Sequence, residues 1–110
     1  MSVPLYQAKA EMFRTLGHPV RIRVLELLQN GPRPVRYLLA EIDVEASNLS
    51  QQLAVLRRAG IVTSYRDGSL VLYALSTPQV AELLAVSRSI LGSLLTDRDG
   101  LLAELQAQRD

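Results

Sequence analysis

The stretch EASNLSQQLAVLRRAGIVTSYRDGSLVLYAL at residues 45–75 decides the fold. It begins with a helical segment, continues through Gly60 and ends in two apolar segments on either side of Asp67-Gly68. Three leucines of the helical segment recur at i, i+4 and i+7 and share one buried face: Leu49, Leu53 and Leu56. The glycine predicts a helix C-cap, and the Asp-Gly pair predicts the tight turn of a β-hairpin.

The opposite face of this helix offers hydrogen-bonding groups and carries no carboxylate after Glu45. Its polar side chains are those of Ser47, Ser50, Gln51 and Arg58, and Asn48 and Gln52 lie on its flank. Asn and Gln can pair with adenine in the major groove of DNA, and Ser can bond to bases or phosphates. The face therefore suits a DNA groove, and the competing interpretation is the solvated surface of a structural helix.

Three helices are predicted before this stretch from apolar spacing. The first covers Leu5–Leu16 and is ended by Gly17, and the second runs over about residues 19–29 from a proline at its first position. The inward residues of the second helix are expected to be Val20, Val24, Leu27 and Leu28. Pro34 opens a short third helix, and the link at 43–45 is short enough for a helix-turn-helix.

The segments after the central helix predict a wing and a last helix. Strands are expected at Ile61–Arg66 and Leu70–Leu75, forming a hairpin that can lie along the minor groove or the phosphates. Thr77 is a candidate N-cap for a helix with a broad apolar stripe. That helix is predicted to be continuous through Gly100, and a break at Asp97–Gly100 stays open.

Composition narrows the function classes. The 110 residues are 48% hydrophobic and 21% charged, which predicts one folded domain over residues 1–110, mainly α with a small β-hairpin in the order α-α-α-α-β-β-α. The chain has no Cys and one His, and no Gly-rich phosphate loop or nucleophile–base set, so we expect no enzyme. It has no membrane-length apolar run and no signal-peptide pattern, so we expect a cytoplasmic location.

Charge is distributed unevenly around a net value of +1. Residues 1–75 carry nine Lys/Arg and six Asp/Glu, whereas residues 76–110 carry three and five. Arg57 and Arg58 end the central helix and Arg66 lies on the hairpin, so phosphate contacts are expected to be local. For the two helix arginines, a solvated last turn that interacts with the helix dipole is the alternative.

The order of elements and three motifs resemble the ArsR/SmtB family of winged helix-turn-helix repressors. The motifs are LGHPVRIRVLELL at 16–28, SNLSQQLAVLRRAGIV at 47–62 and RDGSLVLYAL at 66–75. The resemblance implies a homodimer formed through the first and last helices. It also implies two recognition helices about 34 Å apart in successive major grooves of an inverted-repeat operator, with repression relieved by an effector.

The resemblance also implies roles for single positions. Base and phosphate contacts fall to Ser47, Asn48, Ser50, Gln51 and Gln52, and wing contacts to Arg66 and Ser69. Arg57 and Arg58 would contact the DNA backbone or form an ion pair. Dimer contacts fall to Leu5, Met12, Leu83, Ile90, Leu91 and Leu94. Family members often place a basic residue or His where this chain has Gln51 and Gln52, which points to a different preference, such as adenine-containing steps.

The family's usual metal-sensing residues are not in the sequence. Arg36 and Tyr37 lie in or beside the place of a Cys pair, and the last helix has no His. His18, Asp97 and Asp99 remain as weak candidate ligands. The simpler interpretation is that His18 caps the first helix or packs beside its neighbouring proline, and that the two Asp form a solvated turn. We assign no cofactor, and a metal effector stays open.

Two functions of different classes follow. The leading prediction is a sequence-specific DNA-binding regulator, acting as a repressor, whose partners are operator DNA and a second copy of the chain. The alternative is a winged-helix protein-interaction module or co-regulator that receives its signal through a partner protein, which would account for the missing metal site.

Overall fold

A computed structural model describes residues 3–95 and 99–108, with six helices and three strands in these ranges. The helices are α1 (Leu5–Leu16), α2 (Pro19–Leu28), α3 (Val35–Glu41), α4 (Ala46–Arg58), α5 (Gln79–Leu94) and α6 (Asp99–Ala107). The strands are β1 (Arg33–Pro34), β2 (Val62–Asp67) and β3 (Leu70–Leu75). The chain divides into two compact units at Val80/Ala81. Within the described ranges no helix is long and apolar enough to cross a membrane.

The core of the first unit consists of aliphatic side chains from α2, α3, α4 and β2. The largest fully buried ones are Val24, Leu25, Leu28, Leu38, Leu49, Leu53, Leu56 and Val62. The predicted buried face of α4 is confirmed. In α2 the prediction missed Leu25, and Val20 and Leu27 are only half-buried. The buried face of α2 is therefore turned towards Leu25 relative to the predicted one, and α2 contacts both α4 and β3.

The junction between α1 and α2 is capped from both sides. The Gly17 N–H donates to the carbonyls of Phe13 and Arg14, which confirms the predicted C-cap. His18 has extended backbone angles, and its Nδ1 accepts a hydrogen bond from the Val20 N–H at 3.2 Å. The prediction that His18 caps the first helix is therefore wrong. The His18 imidazole accepts from one of the N–H groups at the start of α2 that have no partner within the helix, which is the role of an N-cap.

The predicted wing is confirmed, with small shifts. β2 and β3 pair antiparallel from Val62↔Leu75 to Asp67↔Leu70, so the first strand lies one residue later than predicted. The turn residues are Gly68 and Ser69 rather than Asp67-Gly68. Gly68 has φ +65°, and a glycine at the first position of a two-residue loop supplies the positive φ that such hairpin turns require.

A third strand, β1, was not predicted. Its two residues pair antiparallel with β3, Arg33 opposite Tyr73 and Pro34 opposite Leu72, so β3 is the central strand in the order β1-β3-β2. Two residues are too few to show a period-2 pattern, and a proline lowers the expectation of a strand. Proline is tolerated at this place because β1 is an edge strand.

The prediction of one continuous last helix is wrong. The hydroxyl of Thr77 accepts from the Gln79 N–H at 3.4 Å, as expected at the start of α5, but α5 ends at Leu94 and α6 begins at Asp99. Arg88 Nη2 donates to the Leu105 carbonyl at 2.7 Å. In a continuous helix these residues would lie about 25 Å apart, so α6 folds back on α5. Thr96 and Asp97 are poor helix formers, and residues 96–98 lie outside the described ranges.

Candidate nucleic-acid interface

Helices α3 and α4 form the predicted helix-turn-helix. The link between them is held by its own backbone, because the Ile42 N–H donates to the Leu38 carbonyl and the Val44 N–H donates to the Ile42 carbonyl, both at 2.9 Å. Leu38 is fully buried and Ile42 is nearly so, which anchors the link from beneath. The link between α3 and α4 is therefore short, and buried apolar side chains lie beneath it.

The outer face of α4 is polar and accessible, as the spacing predicted. Leu49, Leu53 and Leu56 are buried against the core. The exposed contact candidates on this helix are Ser47, Ser50, Gln51, Arg57 and Arg58. Asn48 and Gln52 are half-buried beside them. Hydroxyls, an amide and two cations therefore occupy one surface, with no acidic side chain among them.

Gln52 differs from the other candidates because both ends of its amide contact other residues. Its Nε2 donates to Asn48 Oδ1 at 2.9 Å, and its Oε1 accepts from Arg21 Nε at 2.7 Å. Arg21 Nη1 in turn donates to the Thr15 carbonyl at 3.0 Å. We call this chain of contacts the Arg21 relay. The sequence placed Arg21 on α2, but no local pattern indicated its contact with a residue 31 positions away.

The end of α4 sets the direction of the wing. The Gly60 N–H donates to the Arg57 carbonyl and the Ile61 N–H donates to the Leu56 carbonyl, both at 3.0 Å, and Gly60 has φ +78°. These two bonds form a Schellman motif, which ends the helix and turns the chain directly into β2. The structure thus confirms the role predicted for Gly60, and it makes the cap a fixed link between helix and hairpin.

The arginines predicted to contact phosphates are accessible. Arg57 and Arg58 are exposed on the last turn of α4, and Arg66 is exposed on β2 near Ser69, which is exposed in the turn. None of these arginines forms an ion pair with a residue that the structure describes. Their charges are therefore not neutralised by a carboxylate in that part of the chain.

The region where the family resemblance implied a possible Cys pair has a different chemistry. The guanidinium of Arg33 lies over the Tyr37 ring at 4.7 Å, a cation–π contact, and Arg36 is exposed. His18 uses Nδ1 to cap α2. Asp97 lies outside the described residues, as does the side chain of Asp99. Among residues 3–95 and 99–108, no three His, Cys, Asp or Glu side chains are grouped so that they could hold a metal.

The residues predicted to form a dimer are mostly accessible in this single chain. Leu5 and Met12 are exposed on α1, of which only Leu16 is buried. Ile90, Leu91 and Leu94 are exposed on α5, and Leu83 is half-buried. Leu5 is 69% exposed and Leu94 is 72% exposed, which is far more than an isolated globular chain usually leaves on the apolar side of a helix.

Comparison with known proteins agrees with this geometry. A helix-turn-helix domain family matches residues 16–65. The uncharacterized HTH-type transcriptional regulator Rv0081 of Mycobacterium tuberculosis is 53% identical over 107 residues, which are 96% of this chain and 94% of that protein. Its crystal structure matches with a TM-score of 0.79 and 55% identity, covering 88% of this chain and 98% of the other.

Two further structures extend the comparison. The homodimeric winged helix-turn-helix DNA-binding domain of Mb0332 from Mycobacterium bovis, a possible ArsR-family regulator, matches with a TM-score of 0.73 and 25% identity, covering 84% of this chain and 86% of the other. This chain belongs to the ArsR/SmtB family of transcriptional regulators. The transcriptional repressor BigR from Xylella fastidiosa also matches, with a TM-score of 0.72 and 34% identity, covering 77% of this chain and 87% of the other.

Proposed function

We propose that this ArsR/SmtB-family chain represses transcription by binding a double-stranded operator as a homodimer. The observation that carries the proposal is the exposed polar face of α4, with Ser47, Ser50 and Gln51 at its centre and a buried leucine face behind it. Such a helix fits the width of the major groove, where serine and glutamine can bond to base edges.

The accessible arginines supply the phosphate contacts. Arg57 and Arg58 extend the recognition surface at the end of α4, and Arg66 supplies a cation on the wing. Phosphate contacts position a protein on the duplex without reading sequence, whereas contacts from the helix face read it. The arginines therefore orient the protein on the duplex, and the polar face of α4 provides the sequence specificity.

A second copy of the chain is the proposed partner for the exposed apolar side chains of α1 and α5. The Mb0332 domain is homodimeric, and BigR is a repressor. A two-fold symmetric pair would cover apolar surface on both chains and would place two copies of α4 about one helical turn of DNA apart. The expected operator is therefore an inverted repeat.

Two substitutions test the division between reading and positioning. Genomic fragments bound by the purified protein would supply the operator, and fluorescence anisotropy would measure affinity for it and for a scrambled duplex over a range of salt concentrations. We expect Gln51→Ala to weaken operator binding more than scrambled-duplex binding. We expect Arg66→Ala to weaken both and to lower the salt slope by about one, because one phosphate contact is lost.

Recovery of no preferred fragment by the purified protein would contradict the proposal. It would instead favour the interaction module that receives its signal through a partner protein, which family membership does not favour. If the protein does bind an operator and Gln51→Ala lowers affinity for both duplexes equally, the base-reading role of Gln51 is wrong, although the DNA-binding function stands.

A further inference from the structure

The Arg21 relay joins three helices to one edge of the recognition surface. Thr15 lies in the last turn of α1, Arg21 in α2, and Gln52 and Asn48 in α4. The carbonyl of Thr15 is one of the four at the end of α1 that have no partner within the helix, and a guanidinium is favoured there by the helix dipole. Arg21 is therefore held at one end by α1 and presents its Nε to Gln52 from a defined direction.

The chemistry of Arg21 determines which way both amides point. A side-chain amide can be turned by 180° with almost no change in shape, so its direction is set by its partners. Arginine has N–H donors and no acceptor, and it stays protonated. Its Nε can therefore face only the oxygen of Gln52, which turns the Gln52 NH2 towards Asn48. Of the two ends of the Asn48 amide, only Oδ1 can accept that bond.

We propose that Arg21 is a positioning residue that makes Asn48 present its NH2, as a donor, to the operator. This inference rests on the proposed DNA-binding function and specifies what its site reads. Asn48 Nδ2 donates to no described residue, and the oxygen end is turned to Gln52. A donor of this kind suits an acceptor on a base edge, such as guanine O6 or N7 or thymine O4.

The Arg21 relay thus changes the base preference that residue types alone predict for Asn48 and Gln52. Pairing of asparagine with adenine uses the amide oxygen and the amide nitrogen together, against N6 and N7. The Asn48 oxygen is engaged by Gln52, and the Gln52 oxygen is engaged by Arg21. The adenine-containing steps predicted from Gln51 and Gln52 therefore depend on Gln51 alone, and an acceptor-bearing base is expected opposite Asn48.

The test turns the Asn48 amide round by a substitution of almost equal shape at Gln52. The full-length protein is used to select sequences from a random double-stranded library, and Asn48→Ala identifies the base pair whose preference is lost. Gln52→Glu then keeps an acceptor for Arg21 but removes the donor to Asn48. The Asn48 amide turns its NH2 to the new carboxylate and presents its oxygen to the base. We expect preference at that base pair to move about fivefold towards a donor, adenine N6 or cytosine N4, the size expected for one hydrogen bond.

Gln51→Glu is the matched control. Gln51 is exposed on the same helix and its side chain bonds to no described residue, so the substitution adds the same charge outside the relay. We expect it to weaken binding and to leave the preference opposite Asn48 unchanged. If Gln51→Glu moves that preference as far as Gln52→Glu does, the shift comes from charge and the proposal is overturned.

Two outcomes separate this inference from the proposed function. If the wild type selects an operator but Asn48→Ala erases no base preference, or Gln52→Glu leaves it unchanged, the polarity proposal fails and DNA binding stands. If the wild type selects no sequence, the proposed function fails and the reading role fails with it.

A measurement without DNA tests the relay itself. In nitrogen-15 spectra of the free protein, the Arg21 Nε–H should exchange slowly with water and should shift more with Gln52→Glu than with Gln51→Glu. Exchange as fast as that of an exposed arginine would overturn the relay whatever the protein binds.

Discussion

Arg21 shows how one side chain can serve both stability and recognition. Its two hydrogen bonds reach the end of α1 and the inner edge of α4, both from a half-buried position. Arg14, in contrast, has its ion pair with Glu11 on the surface, where its side chain is 68% exposed. Loss of a hydrogen bond between partly buried groups leaves an acceptor without a partner, which lowers stability. Exposed ion pairs contribute little to the free energy of unfolding.

We therefore predict different stability losses for two equivalent substitutions. Arg21→Met should lower the free energy of unfolding by about 1–3 kcal/mol, because the Thr15 carbonyl and the Gln52 oxygen lose their donor. Arg14→Met should lower it by less than about 1 kcal/mol. Urea titration followed by circular dichroism, at one protein concentration, measures both. Equal losses would show that the Arg21 relay contributes no more to the free energy of unfolding than the surface ion pair of Arg14 does.

At the scale of elements, the junction of α4 and β2 depends on one backbone conformation. Gly60 has φ +78°, and a Cβ added there would meet no atom within 4 Å. The obstacle to substitution is therefore backbone strain rather than a clash. The junction is further tied by Ser76, whose N–H and hydroxyl both donate to the Ile61 carbonyl, at 2.9 and 2.8 Å. Backbone and side-chain hydrogen bonds therefore hold the corner between the helix and the wing.

Gly60 substitutions should follow the tolerance of each residue for positive φ. We predict that Gly60→Ala lowers the free energy of unfolding by about 1–2 kcal/mol, the cost of a left-handed conformation for a residue with a Cβ. Gly60→Asn should cost less, because asparagine adopts this conformation more readily. Chemical denaturation compares the two variants. A larger loss for asparagine than for alanine would contradict the explanation by strain.

At the scale of the whole molecule, apolar side chains on α1 remain exposed in the single chain. Leu5, Tyr6, Met12 and Phe13 are all accessible, although the helix itself begins and ends where the sequence predicted. Except for Leu16, which is buried, the apolar side chains of this helix therefore do not contribute to the core of their own chain. A second copy is the proposed cover for it.

Dimer formation should depend on the apolar side of α1. We predict that Met12→Glu converts the dimer to a monomer at micromolar concentration and lowers operator affinity at least tenfold, because a carboxylate would be buried without a partner. Gln7→Glu adds the same charge on the opposite side of the helix and should leave the dimer intact. Sedimentation equilibrium measures both. A dimeric Met12→Glu variant would place the interface elsewhere.

The sequence by itself determined the features that depend on neighbours along the chain. Helix faces follow from residues three or four positions apart, so the buried leucines of α4 and its polar outer side were predictable. Caps and turns are similarly local, as Gly17, Thr77 and Gly60 show. The order of α1 to α5 with the wing, and the family to which the chain belongs, therefore follow from the sequence alone, whereas β1 and the separate α6 were not predicted. His18 was misread because either adjoining helix end could have used it.

Tertiary structure decided the contacts between residues that are far apart in sequence. The pairing of β1 with β3, the return of α6 onto α5 through Arg88 and Leu105, and the Arg21 relay all join such segments. No local period encodes them, because each arises only when separately formed elements pack together. Recognition shows the same division. The sequence predicted which face of α4 is polar, but the packing of α2 against α4 decides which end of the Asn48 amide that face offers.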